Sequence, residues 1–188
     1  MECVFGYGSL INLKSAERTL GRTIDEKDVS LVEIRDYTRM WGVVGNVIVH
    51  NNAGVRFVNA VFLDIQKKPN EFVNGILIPV SSTELGLLDE RERFYRRVNV
   101  SHEIYPKQEE KTVFAYVGRS ELFVRNYHDP VILKKYQNIV SEGVTHWGEG
   151  FAHRFQTTAR PHTFRVIDGS YEFLDYRQNI LTGHMERP

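Results

Sequence analysis

The chain has 188 residues and sets 24 Lys and Arg against 24 Asp and Glu, so its formal net charge is zero; it lacks the basic excess of a nucleic-acid partner. Its 41% hydrophobic and 26% charged residues exclude a disordered polymer, and no apolar run nears the roughly 18 residues of a membrane span. The lone Cys3 allows no intrachain disulfide and the opening MECVFGYGSL has an acid where a signal peptide carries a basic residue, so the expected location is cytoplasmic.

Cys3-Val4-Phe5-Gly6 reads as a short buried strand ending in glycines. From Val29 to Ile65 the chain is rich in Val, Ile, Phe and Tyr. Gly42, Gly45, Gly54 and Asn51-Asn52 punctuate it. This predicts several strands, with a hairpin tip at Asn52-Ala53-Gly54. Asn74 to Val80 predicts another strand. Ser81 and Glu84 then have capping-box spacing, and Leu85, Leu88 and Glu92 fall on one face of the helix they open.

Phe94 to Tyr105 and Thr112 to Val117 return to strand character, around a solvated turn at 106–111. A second helix is expected with Asp129 as its cap, Pro130 at its first position and Gly143 at its end. Its apolar stripe would be Ile132, Leu133, Tyr136, Ile139 and Val140. A short helix is expected within Val144 to Arg160. Phe164 to Ile180 reads as a strand, or as a hairpin turning at Asp168-Gly169, before a tail.

Gly6 and Gly8 follow the first strand directly. Glycine lets backbone N–H groups approach a ligand closely, and several of them facing one cavity make an oxyanion or carboxylate site. The spacing is not that of a dinucleotide loop or a nucleotide P-loop, and Ser9 is not in a G-x-S-x-G elbow. A ligand loop and a plain strand-to-helix turn both fit these residues. Glu92 also has two readings. A carboxylate in an apolar stripe must be paired, protonated or functional, and desolvation makes it a better base near neutrality; alternatively the helix has ended and Glu92 pairs with Arg96 at the surface.

Phe5-Gly6-Tyr7-Gly8-Ser9-Leu10-Ile11 resembles the opening signature of the γ-glutamyl cyclotransferase superfamily, in the form of its ChaC-like, glutathione-specific branch. Leu88-Asp89-Glu90-Arg91-Glu92, followed by Tyr95 and Val98, resembles that family's helix-end motif, which puts the family's catalytic glutamate on Glu92 rather than Glu90. Gly75 to Ile78 resembles the strand leading into that helix, and Tyr136 to Ile139 before Gly143 resembles a later helix that carries a tyrosine. The islands fall within residues 3 to 143. Leu87-Leu88 before the acid cluster, and Arg93-Phe94-Tyr95 after it, depart from the ChaC pattern.

The resemblance implies an α+β fold with a mixed, curved or barrel-like sheet and a few flanking helices. It implies a cyclotransferase-like domain over 1–143 and a C-terminal extension over 144–188 packed on it. The implied reaction cyclises a γ-glutamyl group to 5-oxoproline and releases an amine. Glu92 would be the general acid and base, with Tyr7, Gly8, Ser9, Leu10 and Tyr136 binding substrate. Plain packing is the competing reading for the side chains of Tyr7 and Tyr136. No metal, cofactor or covalent intermediate is required, and the expected partner is a small γ-glutamyl compound. The alternative is a catalytically silent member of the same fold that binds a small molecule or a protein. His146, His153 and His162 do not have the spacing of a compact metal motif.

Overall fold

The computed structural model describes residues 1–185; residues 186–188 of the expected extension lie outside the described residues. In chain order the elements are β1 (Glu2–Gly6), a 3-10 turn at Ser9–Ile11, α1 (Leu13–Leu20), β2 (Ser30–Asn51), β3 (Gly54–Val80), α2 (Ser82–Arg91), β4 (Tyr95–Asn99), β5 (Ile104–Tyr105) and β6 (Thr112–Gly118). They continue with β7 (Val131–Leu133), α3 (Lys134–His146), α4 (Glu149–Thr158), β8 (Arg165–Ile167), β9 (Ser170–Phe173) and α5 (Tyr176–Thr182). All nine strands join one mixed sheet with the central path β4-β6-β1-β3-β2-β5.

The backbone of the sheet is the β2–β3 hairpin, closed by a turn at Asn52-Ala53 in which Asn51 Oδ1 accepts the Ala53 N–H at 3.0 Å. The expected tip is therefore where the chain turns. Gly42 and Gly45, however, end no strand: both lie inside β2, and Asn74 to Val80 is the far end of β3. The register slips near Asp36 and again near Gly42. At the first slip Asp36 and Asn70 both have positive φ, and Asp36 Oδ1 accepts the Asn70 N–H at 2.9 Å. Bulges increase local twist and bend the strand, so the long ribbon curls. One end of it holds β1 and β5, and the other receives β9 on β2 and β7 on β3.

β1 extends the sheet between β3 and β6, antiparallel to β3 and parallel to β6, with Cys3, Val4 and Phe5 fully buried. The capping box of α2 is present: Ser81 Oγ accepts the Glu84 N–H at 3.2 Å, and Glu84 Oε2 accepts the Ser81 N–H at 2.7 Å. The fold is α+β with a mixed curled sheet and a few flanking helices, as expected, five α-helices among the described residues.

Three further expectations change. Asp129 caps no helix; Val131, Ile132 and Leu133 form β7, and α3 begins only at Lys134. Gly143 does not end α3, which runs on to His146; an added Cβ at Gly143 would stand 2.5 Å from the Asn12 backbone N, so the glycine admits a close helix crossing. Asp168-Gly169 does not join a hairpin, since β8 pairs with β7 while β9 pairs with β2, and the end of the stretch read as strand is helix α5. The helix expected within Val144 to Arg160 is α4. Among the described residues, no helix is long and apolar enough to cross a membrane.

Candidate active site

The glycines after β1 turn the chain into the 3-10 turn at Ser9–Ile11, where Gly8 O accepts the Ile11 N–H at 3.0 Å and Ser9 O accepts the Asn12 N–H at 3.2 Å. The first N–H groups of such a turn have no partner inside it, so those of Ser9 and Leu10 are left for other acceptors. A cavity opens against this turn. Tyr7, Gly8, Ser9, Leu10, Glu92 and Tyr136 all line it, so the residues singled out from the sequence are gathered in one place. A second lobe continues past Ser9, Glu92, Tyr95 and Tyr136 toward the C-terminal segment, where Tyr171, Phe173, Gln178 and His184 form its wall.

Glu92 is the C-cap of α2 rather than a member of its apolar face, because the helix ends at Arg91. The alternative surface pair with Arg96 does not form either. Glu92 instead turns inward with 15% of its side chain exposed, and its Oε1 lies 2.9 Å from Arg91 Nε. It is the one carboxylate among the residues lining the two lobes. Burial pushes its carboxyl above the ordinary glutamate range, while the charge of Arg91 and its hydrogen bond pull it back. Glu90 faces outward and pairs with Arg177 at 2.6 Å.

Four tyrosines surround the carboxylate. Tyr7 donates to Tyr116 O at 2.5 Å, Tyr95 to Leu63 O at 2.8 Å, and Tyr116 to Asp89 Oδ1 at 2.8 Å. Those hydroxyl protons are spent on the protein. Tyr136 differs: its oxygen receives the Leu63 N–H at 3.4 Å and lies against the Ser9 backbone N–H. Its own proton has no protein acceptor among the described residues. An added Cβ at Gly8 would come 3.2 Å from this oxygen. Burial raises all four phenols, so each stays protonated near neutrality and Glu92 is the lining acid that titrates below them.

The sequence did not single out Arg91, which is only 4% exposed. Its guanidinium bonds Ser15 O at 2.8 Å, Thr19 Oγ1 at 2.5 Å, Ser9 Oγ at 3.0 Å and Ser15 Oγ at 2.9 Å, besides Glu92. The wall from β9 and α5 was missed as well. Tyr171 and Phe173 alternate as one buried strand face, the signal that could have placed them. His184 Nδ1 lies 2.7 Å from Thr182 Oγ1, and burial, then the charges of Lys135, Arg91 and Arg18, pull its ring down to about 4. It is therefore a neutral wall at pH 7. Among the described residues no group of three His, Cys, Asp or Glu is placed to hold a metal ion.

No family model matches the sequence, and no curated protein matches it. Solved structures do. One named "Gamma-glutamyl cyclotransferase" superposes with a TM-score of 0.56 over 96% of this chain and 98% of its own, at 16% identity. The chain has a γ-glutamyl cyclotransferase-like fold. An uncharacterized protein from Homo sapiens superposes similarly, with a TM-score of 0.53 over 95% of this chain and 96% of its own, at 17% identity. At such identities the cyclotransferase-like fold is what is shared, and the chemistry rests on the side chains of this chain.

Proposed function

We propose that the protein cyclises γ-glutamyl compounds to 5-oxoproline, with Glu92 as general base and then general acid. The observation that carries this reading is the convergence of a single buried carboxylate, Glu92, with the Ser9 and Leu10 turn and the Tyr136 hydroxyl in one cavity.

The reaction joins two ends of one molecule, so a site that holds the folded conformer supplies much of the rate. Glu92 removes a proton from the substrate α-ammonium. The freed amine attacks the γ-carbonyl, a C–N bond forms, and the carbonyl oxygen gains negative charge. The Leu10 N–H of the turn and the uncommitted Tyr136 proton are suited to that oxygen, with the Ser9 N–H holding the Tyr136 hydroxyl in place. Glu92 then returns its proton to the leaving nitrogen as the amide C–N bond breaks. As the carbonyl re-forms, the ring nitrogen loses its remaining extra proton to solvent and the released amine takes one up, so protons and bonds balance and no covalent enzyme intermediate is required.

The test is 5-oxoproline release from glutathione, γ-glutamyl-amino acids and γ-glutamyl-ε-lysine. Product from at least one is expected, with Glu92→Gln lowering kcat by at least a factor of about 100, the range for loss of a positioned acid–base group. Product that survives Glu92→Gln unchanged would remove Glu92 from the mechanism. The absence of product from every substrate would favour a binding protein of the same fold.

A further inference from the structure

We propose that Arg91 is the positioning residue of this site: its guanidinium fixes one oxygen of Glu92 and the Ser9 hydroxyl in a single rigid frame. The proposal rests on the cyclotransferase reading for its kinetic consequences, and on geometry alone for the frame itself.

The frame is unusually complete. Arg91 Nε is set against Glu92 Oε1 at 2.9 Å, one terminal nitrogen serves Ser15 O and Thr19 Oγ1, and the other serves Ser9 Oγ and Ser15 Oγ. Both terminal nitrogens of the planar fork are therefore fully hydrogen-bonded, and Nε meets Glu92 as an ion pair. The partners come from α1, from the glycine turn and from the end of α2, the three pieces whose relative placement decides where base and backbone donors meet. From the other side, Gln178 Nε2 on α5 donates to Arg91 O at 2.7 Å. Arg91 meets Oε1 of Glu92, and no described residue donates to Oε2; Glu92 is itself a lining residue of the cavity.

A second consequence is electrostatic. Burial raises the Glu92 carboxyl, and a protonated glutamate cannot accept the ammonium proton. The adjacent guanidinium acts in the opposite direction and favours the ionised form. A clamp whose only role is packing would have no such effect.

Arg91→Met and Arg91→Lys separate these roles. With the side-chain carboxyl carbon of Glu92 followed by NMR, Arg91→Met is expected to move its titration upward by about one to three pH units, the range for losing an adjacent opposite charge. The acid limb of kcat/KM should move with it, and activity should recover at higher pH. Arg91→Lys keeps the charge and loses the fork, so the titration stays near the wild-type position while kcat falls at least about tenfold, through lost orientation. Thr19→Val removes one partner of the frame and should lower Tm without moving the Glu92 titration. If Arg91→Met lowers Tm but leaves the titration in place, Arg91 is a structural clamp and the proposal fails. If Arg91→Met does not fold, unchanged kcat in Arg91→Lys overturns it. A wild-type protein that turns over no γ-glutamyl substrate sinks the cyclotransferase reading instead, while the NMR titration still decides the frame.

Discussion

Asp64 and Glu92 are both carboxylates in apolar surroundings, and they are held in opposite ways. Glu92 has a cation against it. Asp64 is fully buried and has only neutral donors: the Ile65 and Gly118 N–H groups, each at 2.8 Å, and Gln66 Nε2 at 3.1 Å. Burial outweighs those bonds and pushes its carboxyl up to about 6. The folded state thus binds this proton more tightly than the unfolded chain. Stability from Asp64 is greatest below about pH 4 and falls by about 3 kcal/mol as pH rises to about 6 and beyond. Asp64→Asn, which keeps an oxygen for both backbone donors, should remove that slope; urea unfolding at pH 4 and pH 7 measures it. For Glu92, also raised, the active base is the ionised form, so kcat/KM should fall as pH drops through its elevated value, and a flat acid limb would contradict that role. At this scale Glu92 was singled out by one helix-end motif and by a place on the helix's apolar face; the structure puts it in the cavity, but as the C-cap of α2 and not on that face. Arg91 was not singled out: Glu90, Arg91, Glu92 and Arg93 are alternating charges in sequence, and only the packing of α1 against α2 selects Arg91 for burial.

Helices and strands were legible where a local signal decides them. The capping box at Ser81 and the glycines after β1 act over a few residues, and both appear where the sequence puts them. β7 was misread because Val131-Ile132-Leu133 suits a strand and a helix equally, and the choice is made by distant partners, Ala60 on β3 and Arg165 to Ile167 on β8. Gly143 was misread for a related reason. Its role is an inter-element contact: Asn12 caps α1 through the Ser15 N–H and also donates to Ile139 O of α3 at 3.1 Å. Two helix glycines should therefore respond in opposite directions. Gly143→Ala forces a Cβ into the Asn12 backbone and should cost about 1–3 kcal/mol. Gly86→Ala, in α2, meets nothing within 4 Å and should gain about 0.5–1 kcal/mol. Chemical denaturation of both variants checks the pair.

Across the whole molecule, the C-terminal segment is tied in at particular points. Asn179 of α5 accepts the Phe173 N–H at 2.6 Å and donates to Phe173 O at 2.8 Å, locking helix to edge strand. Asn179→Ala leaves two buried backbone groups unsatisfied and should cost about 2–4 kcal/mol. Hydrogen exchange should then quicken in β9 and α5 while β1 and the center of β3 stay protected; uniform quickening would mean that the segment is not a separable unit. The α+β class and the curled sheet followed from strand-rich composition together with the family resemblance, but the bulges that curl the ribbon are matters of register between residues far apart. The pairing also has an order in time. The cavity is walled by Ser9 at one extreme and by Phe173, Gln178 and His184 at the other. During synthesis, β1 and its glycine turn emerge first and must wait for nearly all the rest before a closed site can exist. The turn and the Arg91–Glu92 pair are thus made before the last wall of the cavity, which only β9 and α5 complete.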